Sequence, residues 1–330
     1  MNSKAKSNKP SGWEWQSLLL ILGVAGAVSY YYLFYIGLPM LKERIILHDL
    51  IVSGSALSPY RYRVLMPWIA QGLMTLLGVV IPFPKSFILS YTLIDTAGIF
   101  LALSCLYLYL REWFKKETAL LGVVLAGATM MIALRDHELS PWSWYEAAFV
   151  SLGFWLLHRE KYRWFTGLMV IATLNRETAL FLPLAYLFTR QDIKNVWDRK
   201  AAFQWKPFLP MVGWWVLWFF LYTGLRIGLG WAPHVMGLGK LIQLNLQPGT
   251  IVRSAIKCGL LFGFFWYWMF PGFKKAPGFV RGTVGMGVCY FLAILVMGSW
   301  KEARLLMPLY PVIIPLGLAY LFPDRMKENL

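Results

Sequence analysis

The sequence has few charged side chains and few cysteines, and each scarcity excludes a class of protein. Charged residues make up 15% of the 330 positions, well below the roughly 25% of soluble domains, so a soluble globular fold is excluded. The three cysteines, Cys105, Cys258 and Cys289, lie inside apolar runs, which excludes a disulfide framework and a cysteine metal site. The start lacks the small-residue cleavage site of a secretory signal, and no internal repeat occurs. We therefore interpret residues 1–330 as one integral-membrane domain.

Long apolar runs dominate the chain instead. Hydrophobic residues make up 58% of it, and about 20 consecutive apolar residues suffice to cross a bilayer as a helix. The runs predict an all-α fold, a polytopic bundle of membrane helices. They are Gln16–Ile36, Val64–Ile81, Phe87–Leu110, Thr118–Leu134, Trp142–Leu157, Trp164–Thr189, Pro207–Leu225, Ile251–Phe270, Val284–Met297 and Leu305–Leu321.

Basic clusters determine the predicted orientation. Lysine and arginine outnumber acidic residues 32 to 16, and cytoplasmic loops of membrane proteins carry such an excess, so the net charge of +16 does not indicate a nucleic-acid partner. If every cluster is cytoplasmic, the chain crosses the plasma (inner) membrane about ten times, with both termini in the cytoplasm. The clusters are Lys4/Lys6/Lys9, residues 111–116, 158–163, 190–200 and 274–281, and the C-terminal tail.

Two runs must then deviate from a simple crossing. Residues 64–110 are too few for three spans, so Phe87–Leu110 is predicted to cross. Val64–Ile81 is predicted to lie along the outer membrane surface, within an external loop of residues 37–86. Trp164–Thr189 is predicted to enter and return as two half-spans that divide at "NRET", residues 175–178.

Charged residues gather on the predicted extracytoplasmic side, several of them beside apolar runs. Ionisable groups in such positions are candidates for a functional site. Arginine suits a planar grip on phosphate, and carboxylates suit acid/base chemistry, so the set fits a phosphorylated lipid whose head group reacts. The candidates are Glu43, His48, Asp49, Tyr60, Arg61, Tyr62, Arg63, Glu146, Arg176, Glu177, Glu302 and Arg304.

Several of these motifs together resemble the GT-C superfamily of integral-membrane glycosyltransferases, which includes protein mannosyltransferases and lipid A aminoarabinose transferases. The resemblance rests on a charged first external loop with "PYRYRVLMP", a span headed by Glu146, the break "LNRET" at 174–178, and a final span that Arg304 opens before "LLMPLYPVIIPL". It covers most of the chain in arrangement, although each motif is loose.

The resemblance implies a sugar donor linked to polyprenyl phosphate and transfer on the extracytoplasmic side. It implies Asp49, or next Glu43, as the base for an acceptor hydroxyl, although the chain has only "HD" where the family often has a pair of acidic residues. It places Arg176 near the donor phosphate, with Arg304 beside it. The implied partners are membrane lipid and the polyprenyl-phosphate sugar, with neither nucleic acid nor a soluble protein. No cofactor is identified; a divalent metal stays open, and no metal ligands are predicted.

Structural roles compete with each functional one. Asp49 can be a solvated carboxylate beside His48, and Arg61 and Arg63 can be interfacial arginines next to a tyrosine belt. Arg176 and Glu177 can form a structural pair at the break, and Glu146 can interact with a helix dipole. At the level of the whole chain, the alternatives to a glycosyltransferase are a transporter or flippase for an anionic lipid-linked substrate and a non-catalytic scaffold in envelope-polymer assembly.

Overall fold

A computed structural model describes residues 14–134, 141–190 and 206–326. Within these ranges the chain is helical and has no β-strand. The N-terminal lysines Lys4, Lys6 and Lys9, most of the cluster 190–200 and the end of the C-terminal tail lie outside the described residues.

The described residues form a series of helices. The α-helices are α1 (Trp15–Tyr32), α2 (Leu41–Val52), α3 (Leu65–Leu77), α4 (Lys85–Trp113), α5 (Lys116–Leu134), α6 (Pro141–His158), α7 (Tyr162–Asn175), α8 (Leu182–Arg190), α9 (Phe208–Leu229), α10 (Leu238–Asn245), α11 (Pro248–Phe262), α12 (Phe265–Lys275), α13 (Gly278–Met297) and α14 (Tyr310–Leu321). A π-helical turn at Leu33–Gly37 extends α1, and 3₁₀ turns occupy Tyr60–Tyr62, Glu177–Phe181, Ala303–Leu309 and Pro323–Arg325.

Six helical segments in the described part of the chain are long and apolar enough to cross a membrane. They confirm the prediction of a multi-pass, all-helical membrane protein. α3 is only 13 residues long, short of the roughly 20 that a crossing needs. The six segments are Trp15–Gly37, Lys85–Trp113, Lys116–Ala133, Phe208–Leu229, Gly278–Met297 and Ala303–Leu321.

Residues 162–190 form a helical hairpin, as the sequence predicts. α7 ends at Asn175, and Arg176 has an extended backbone (φ −162°, ψ 141°) before the chain turns into α8. The two far ends of the hairpin meet, because Arg190 donates a hydrogen bond of 2.7 Å to Glu160. The tip of the hairpin is therefore the charged pair Arg176–Glu177.

The apolar run Ile251–Phe270 is not one straight helix, contrary to the prediction from hydropathy. It divides into α11 and α12 at Gly263, whose φ of +51° is a backbone conformation that glycine adopts without strain. The Trp266 indole donates to the Cys258 carbonyl across the break, at 2.8 Å. Hydropathy measures transfer from water and carries no information on such a backbone angle.

The helices pack closely where glycine faces a neighbour. Gly272 of α12 lies against the backbone of Leu316 in α14, and Gly282 of α13 lies against Thr189 of α8; neither position has room for a methyl group. Small residues allow such close approach in membranes, where dispersion contacts replace the hydrophobic effect as the force between helices.

The charged residues collect at two opposite ends of the bundle. At one end, called the basic end here, Lys116 contacts Glu14, Arg159 contacts Glu112, and the Lys115 amide donates to the Arg325 carbonyl. The other end, called the cavity end, carries the hairpin tip and the segment 58–63. Residues from both described termini thus lie at the basic end.

Buried polar contacts join α2 to α4. Arg44 forms an ion pair of 3.0 Å with Asp95, and both side chains are buried. His48 lies beside them: its Nε2 contacts Gln71 Oε1 at 3.0 Å and its Nδ1 contacts the Tyr91 hydroxyl at 2.7 Å. Because an amide oxygen only accepts, His48 Nε2 donates to Gln71, and in neutral His48 the Tyr91 hydroxyl donates to Nδ1. Both ring nitrogens of the neutral imidazole therefore have a partner.

Burial lowers the pKa of His48, outweighing the hydrogen bond to Gln71 and the charge of Asp49, which raise it. The stabilisation from neutral His48 is complete above the ordinary pKa of about 6.5 and is lost as the pH falls below it, by at most about 1.4 kcal/mol per pH unit. We expect the melting temperature in detergent to be lower at pH 5.0 than at pH 7.5. His48→Gln should remove part of that acid sensitivity. An unchanged pH dependence in His48→Gln would contradict the assignment.

Candidate functional site

The hairpin tip is fixed by a buried ion pair. Arg176 donates to Glu146 of α6 at 2.5 Å, and the two residues are 4% and 5% exposed. Glu146 also accepts from the Thr178 hydroxyl and, at 3.2 Å, from the Tyr290 hydroxyl of α13. Several donors are needed because a buried carboxylate is costly unless its lone pairs are satisfied. The tip is thereby joined to both α6 and α13.

A second ion pair joins the tip to the segment 58–63. Arg63 is 5% exposed and grips Glu177 with two nitrogens, Nη2 at 2.5 Å from Oε1 and Nε at 3.3 Å from Oε2. The Arg63 guanidinium also lies 5.5 Å from the Tyr60 ring and 5.6 Å from the Trp142 ring. Both oxygens of Glu177 are therefore engaged by one cation, which makes this carboxylate a weak base.

A third pair lies at the start of the last span. Arg304 is 3% exposed, donates to Glu302 at 2.8 Å and contacts the Ser143 hydroxyl at 3.3 Å. The loop that carries Glu302 is held by Asn245, whose side chain donates to the Gly298 carbonyl at 2.8 Å and accepts from the Trp300 amide at 3.0 Å. Asn245 is buried, so α10 fixes the position of this loop.

A fourth arginine, Arg226, lies among aromatic rings near the end of α9. Its guanidinium carbon is 4.2 Å from the Tyr62 ring centroid, 4.3 Å from that of Tyr222 and 5.5 Å from that of Trp231. It donates to the Tyr222 hydroxyl at 2.5 Å. Among the described residues, no carboxylate lies within ion-pair distance of Arg226.

These four arginines line one cavity of about 440 Å³. Its polar side also carries Glu177 and Glu302, while Glu146 stands behind Arg176. Its apolar lining comes from several elements, among them α13 through Ala293, Ile294 and Met297. A pocket of this size, apolar with a few convergent polar groups, is typical of a small-molecule site.

Two chain segments cover the cavity together. Ser58 and His234 pair like residues of neighbouring parallel strands, since the Ser58 amide donates to the Pro233 carbonyl at 3.0 Å and the Val235 amide to the Ser58 carbonyl at 2.8 Å. The Tyr62 hydroxyl extends this pairing by donating to the Gly230 carbonyl at 3.0 Å. Residues 58–63 and 230–236 therefore form a joint cover.

The structure brings most predicted site residues to this cavity. Those that line it or stand directly behind it are Tyr60, Tyr62, Arg63, Glu146, Arg176, Glu177, Glu302 and Arg304. The remaining four do not line it. Arg61 donates to the Gly230 carbonyl in the cover, His48 is buried against α4, and Asp49 and Glu43 are exposed on α2. The assignment of Asp49 or Glu43 as the base stays a prediction of the resemblance.

The sequence analysis missed Arg226, Asn245 and Tyr222 as site residues. A single arginine near the end of an apolar helix is typical of interfacial snorkelling, which hides its role. One signal was present: Tyr222 and Arg226 are four positions apart, so they face each other on one helix surface. The aromatic partner Tyr62 comes from a distant segment and left no such signal.

The charges of the described residues at the cavity nearly cancel. Arg63, Arg176 and Arg304 each have a glutamate partner, and only Arg226 contributes a charge that no described carboxylate offsets. Such a site suits a ligand with one anionic group and an apolar part. Within the described part of the chain, no cluster of three or more His, Cys, Asp or Glu side chains could hold a metal ion.

No protein-family model, curated protein or solved structure matches the chain at a significant level.

Glu146→Gln should strongly destabilise the protein, because it leaves Arg176 buried without a counter-charge, at a cost of about 3–5 kcal/mol. The melting temperature in detergent measures this loss. Glu160→Gln is the matched control, since its pair with Arg190 is largely exposed and should be worth at most about 1 kcal/mol. Equal melting temperatures for the two variants would show that the buried pair does not stabilise the tip.

Proposed function

We propose that this protein is a membrane glycosyltransferase of the GT-C type, which moves a sugar from a polyprenyl-phosphate carrier to an acceptor hydroxyl. The observation that carries the proposal is the cavity itself. It joins arginines that suit a phosphate to an apolar wall that suits a prenyl chain, at one end of a membrane bundle.

The phosphate is placed among Arg63, Arg176, Arg226 and Arg304, with the sugar between them and the two lining glutamates. The prenyl chain leaves along the apolar side of α13. Arginine is favoured over lysine for such a grip because its planar guanidinium can form two parallel hydrogen bonds to one phosphate. Fixed donors around the leaving phosphate stabilise the charge that develops on it as the bond breaks.

The reaction forms a bond between the acceptor oxygen and the sugar's anomeric carbon and breaks the bond from that carbon to the phosphate oxygen. The anomeric centre is inverted, the bonding electrons leave with the phosphate, and the acceptor proton passes to a carboxylate. We assign this base to Glu302, which lines the cavity and pairs with Arg304 at 2.8 Å, whereas Arg63 holds the other lining carboxylate, Glu177, through both oxygens. This assignment replaces Asp49, which does not line the cavity.

The proposal includes the full topology. The six long segments, α6, the two halves of the hairpin and the broken α11–α12 segment make ten crossings. An even number agrees with the contacts of Glu14 with Lys116 and of Arg325 with Lys115 at the basic end. The excess of Lys and Arg assigns that end to the cytoplasm, so the cavity opens on the extracytoplasmic side of the plasma membrane.

Cells in which Glu302→Gln replaces the wild-type protein should accumulate a sugar-loaded polyprenyl phosphate, because general-base catalysis typically contributes at least about 100-fold to the rate. Mass spectrometry of lipid extracts measures the carrier and identifies its sugar. Asp49→Asn is the comparison: it should behave as wild type.

Three other outcomes of this experiment would change the proposal. Accumulation with Asp49→Asn but not with Glu302→Gln would return the base to α2. No accumulation in cells that lack the protein would overturn the transferase proposal. Carrier that accumulates only in the cytoplasmic leaflet would indicate transport of the carrier instead.

A further inference from the structure

Arg226 differs from the other arginines of the cavity in how its charge is balanced. Arg63, Arg176 and Arg304 pair with glutamates at 2.5, 2.5 and 2.8 Å. Within the described residues, Arg226 has only aromatic rings and the Tyr222 hydroxyl as partners. Among the described residues, these four arginines against Glu146, Glu177 and Glu302 leave one positive charge, and Arg226 carries it.

The rings hold the Arg226 guanidinium in a defined orientation. Tyr62 is itself fixed, since its hydroxyl donates to the Gly230 carbonyl and accepts from the Ala232 amide, both at 3.0 Å. Tyr222 stacks on Trp218 with the ring centroids 4.7 Å apart. Contacts with ring faces leave the guanidinium edges available for hydrogen bonds, and cation–π attraction replaces part of the lost hydration.

A guanidinium has five N–H donors, and Arg226 uses one described hydrogen bond, to Tyr222. Its Nε is shielded from water and has no described hydrogen-bond partner. A half-buried cation of this kind is stabilised by an anion that enters the cavity. The three ion pairs oppose a more highly charged ligand, because each additional negative charge must displace a glutamate from its arginine.

We propose that Arg226 captures the anionic head group and limits the cavity to a ligand with a single negative charge. The chemical class is a phosphodiester attached to an apolar chain, in preference to a diphosphate. This inference rests on the proposed function, which supplies the polyprenyl-phosphate carrier. It adds that the cavity selects a singly charged head group and that Arg226 is the residue that selects it.

Three probes with the same prenyl tail test this selectivity: farnesyl methyl phosphate, farnesyl diphosphate and farnesol. Binding to the purified full chain in detergent is measured by native mass spectrometry. We expect the wild type to bind the phosphodiester at least tenfold more tightly than farnesol or the diphosphate. Arg226→Gln should bind phosphodiester and farnesol equally, while Arg226→Lys should keep part of the preference because it keeps the charge.

Farnesol binding serves as the folding control, because it needs only the apolar wall. Arg253→Gln is the matched control variant, since Arg253 is exposed on α11 and does not line the cavity. It should bind all three probes as the wild type does. If Arg226→Gln also loses farnesol binding, Tyr222→Leu is used in its place, because it removes one ring that supports Arg226. This variant should lower the affinity for the phosphodiester and leave farnesol binding unchanged.

Unchanged phosphodiester binding in Arg226→Gln, or tighter binding of the diphosphate by the wild type, would overturn the inference. Its failure is distinguishable from failure of the proposed function. If sugar transfer is observed but the purified protein shows no head-group preference, only the role of Arg226 is contradicted. If the head-group preference is observed but loaded carrier does not accumulate in cells that lack the protein, only the transferase activity is contradicted.

Discussion

The cost of burying a charge without compensation shapes the cavity end of this protein. Arg176 and Glu177 are adjacent, yet they pair in opposite directions, Arg176 with Glu146 of α6 and Glu177 with Arg63 of segment 58–63. The extended backbone at Arg176 makes this possible, because successive side chains of an extended chain point to opposite sides. The break in the hairpin is therefore a condition for both ion pairs, and the cavity lies where they meet.

Compensation of the same kind explains how a site with four arginines can exist in a membrane bundle at all. Three of the guanidinium groups form ion pairs with glutamates, and the fourth is surrounded by aromatic rings. Polar and ionisable groups within membrane segments are costly and are retained where they serve a site. The glutamates thus keep the arginines in place before a ligand arrives, and the rings of Tyr62 and Tyr222 do the same for Arg226.

Features that depend on the order of apolar runs and charged residues along the chain could be predicted from the sequence. The hairpin division at 175–178 was predictable because the basic clusters at 158–163 and 190–200 belong on one side, so the run between them must return, and Arg176–Glu177 is its most costly part to bury. Features that depend on backbone angles or on distant partners could not: hydropathy is blind to the positive φ of Gly263, and nothing local in the sequence links Tyr62 with Arg226. Asp49 came from a family likeness, and its position on α2 follows from the packing of that helix on α4.

The pairing of Arg63 with Glu177 also orders events during synthesis. The two residues are 114 positions apart, so the ribosome completes segment 58–63 long before it produces the hairpin tip. A nascent chain that ends before Glu177 holds Arg63 without its carboxylate, and burial of that guanidinium then has no compensation. Segment 58–63 consequently docks only after the hairpin has been inserted. Insertion of the translated hairpin is therefore the step that closes the cavity.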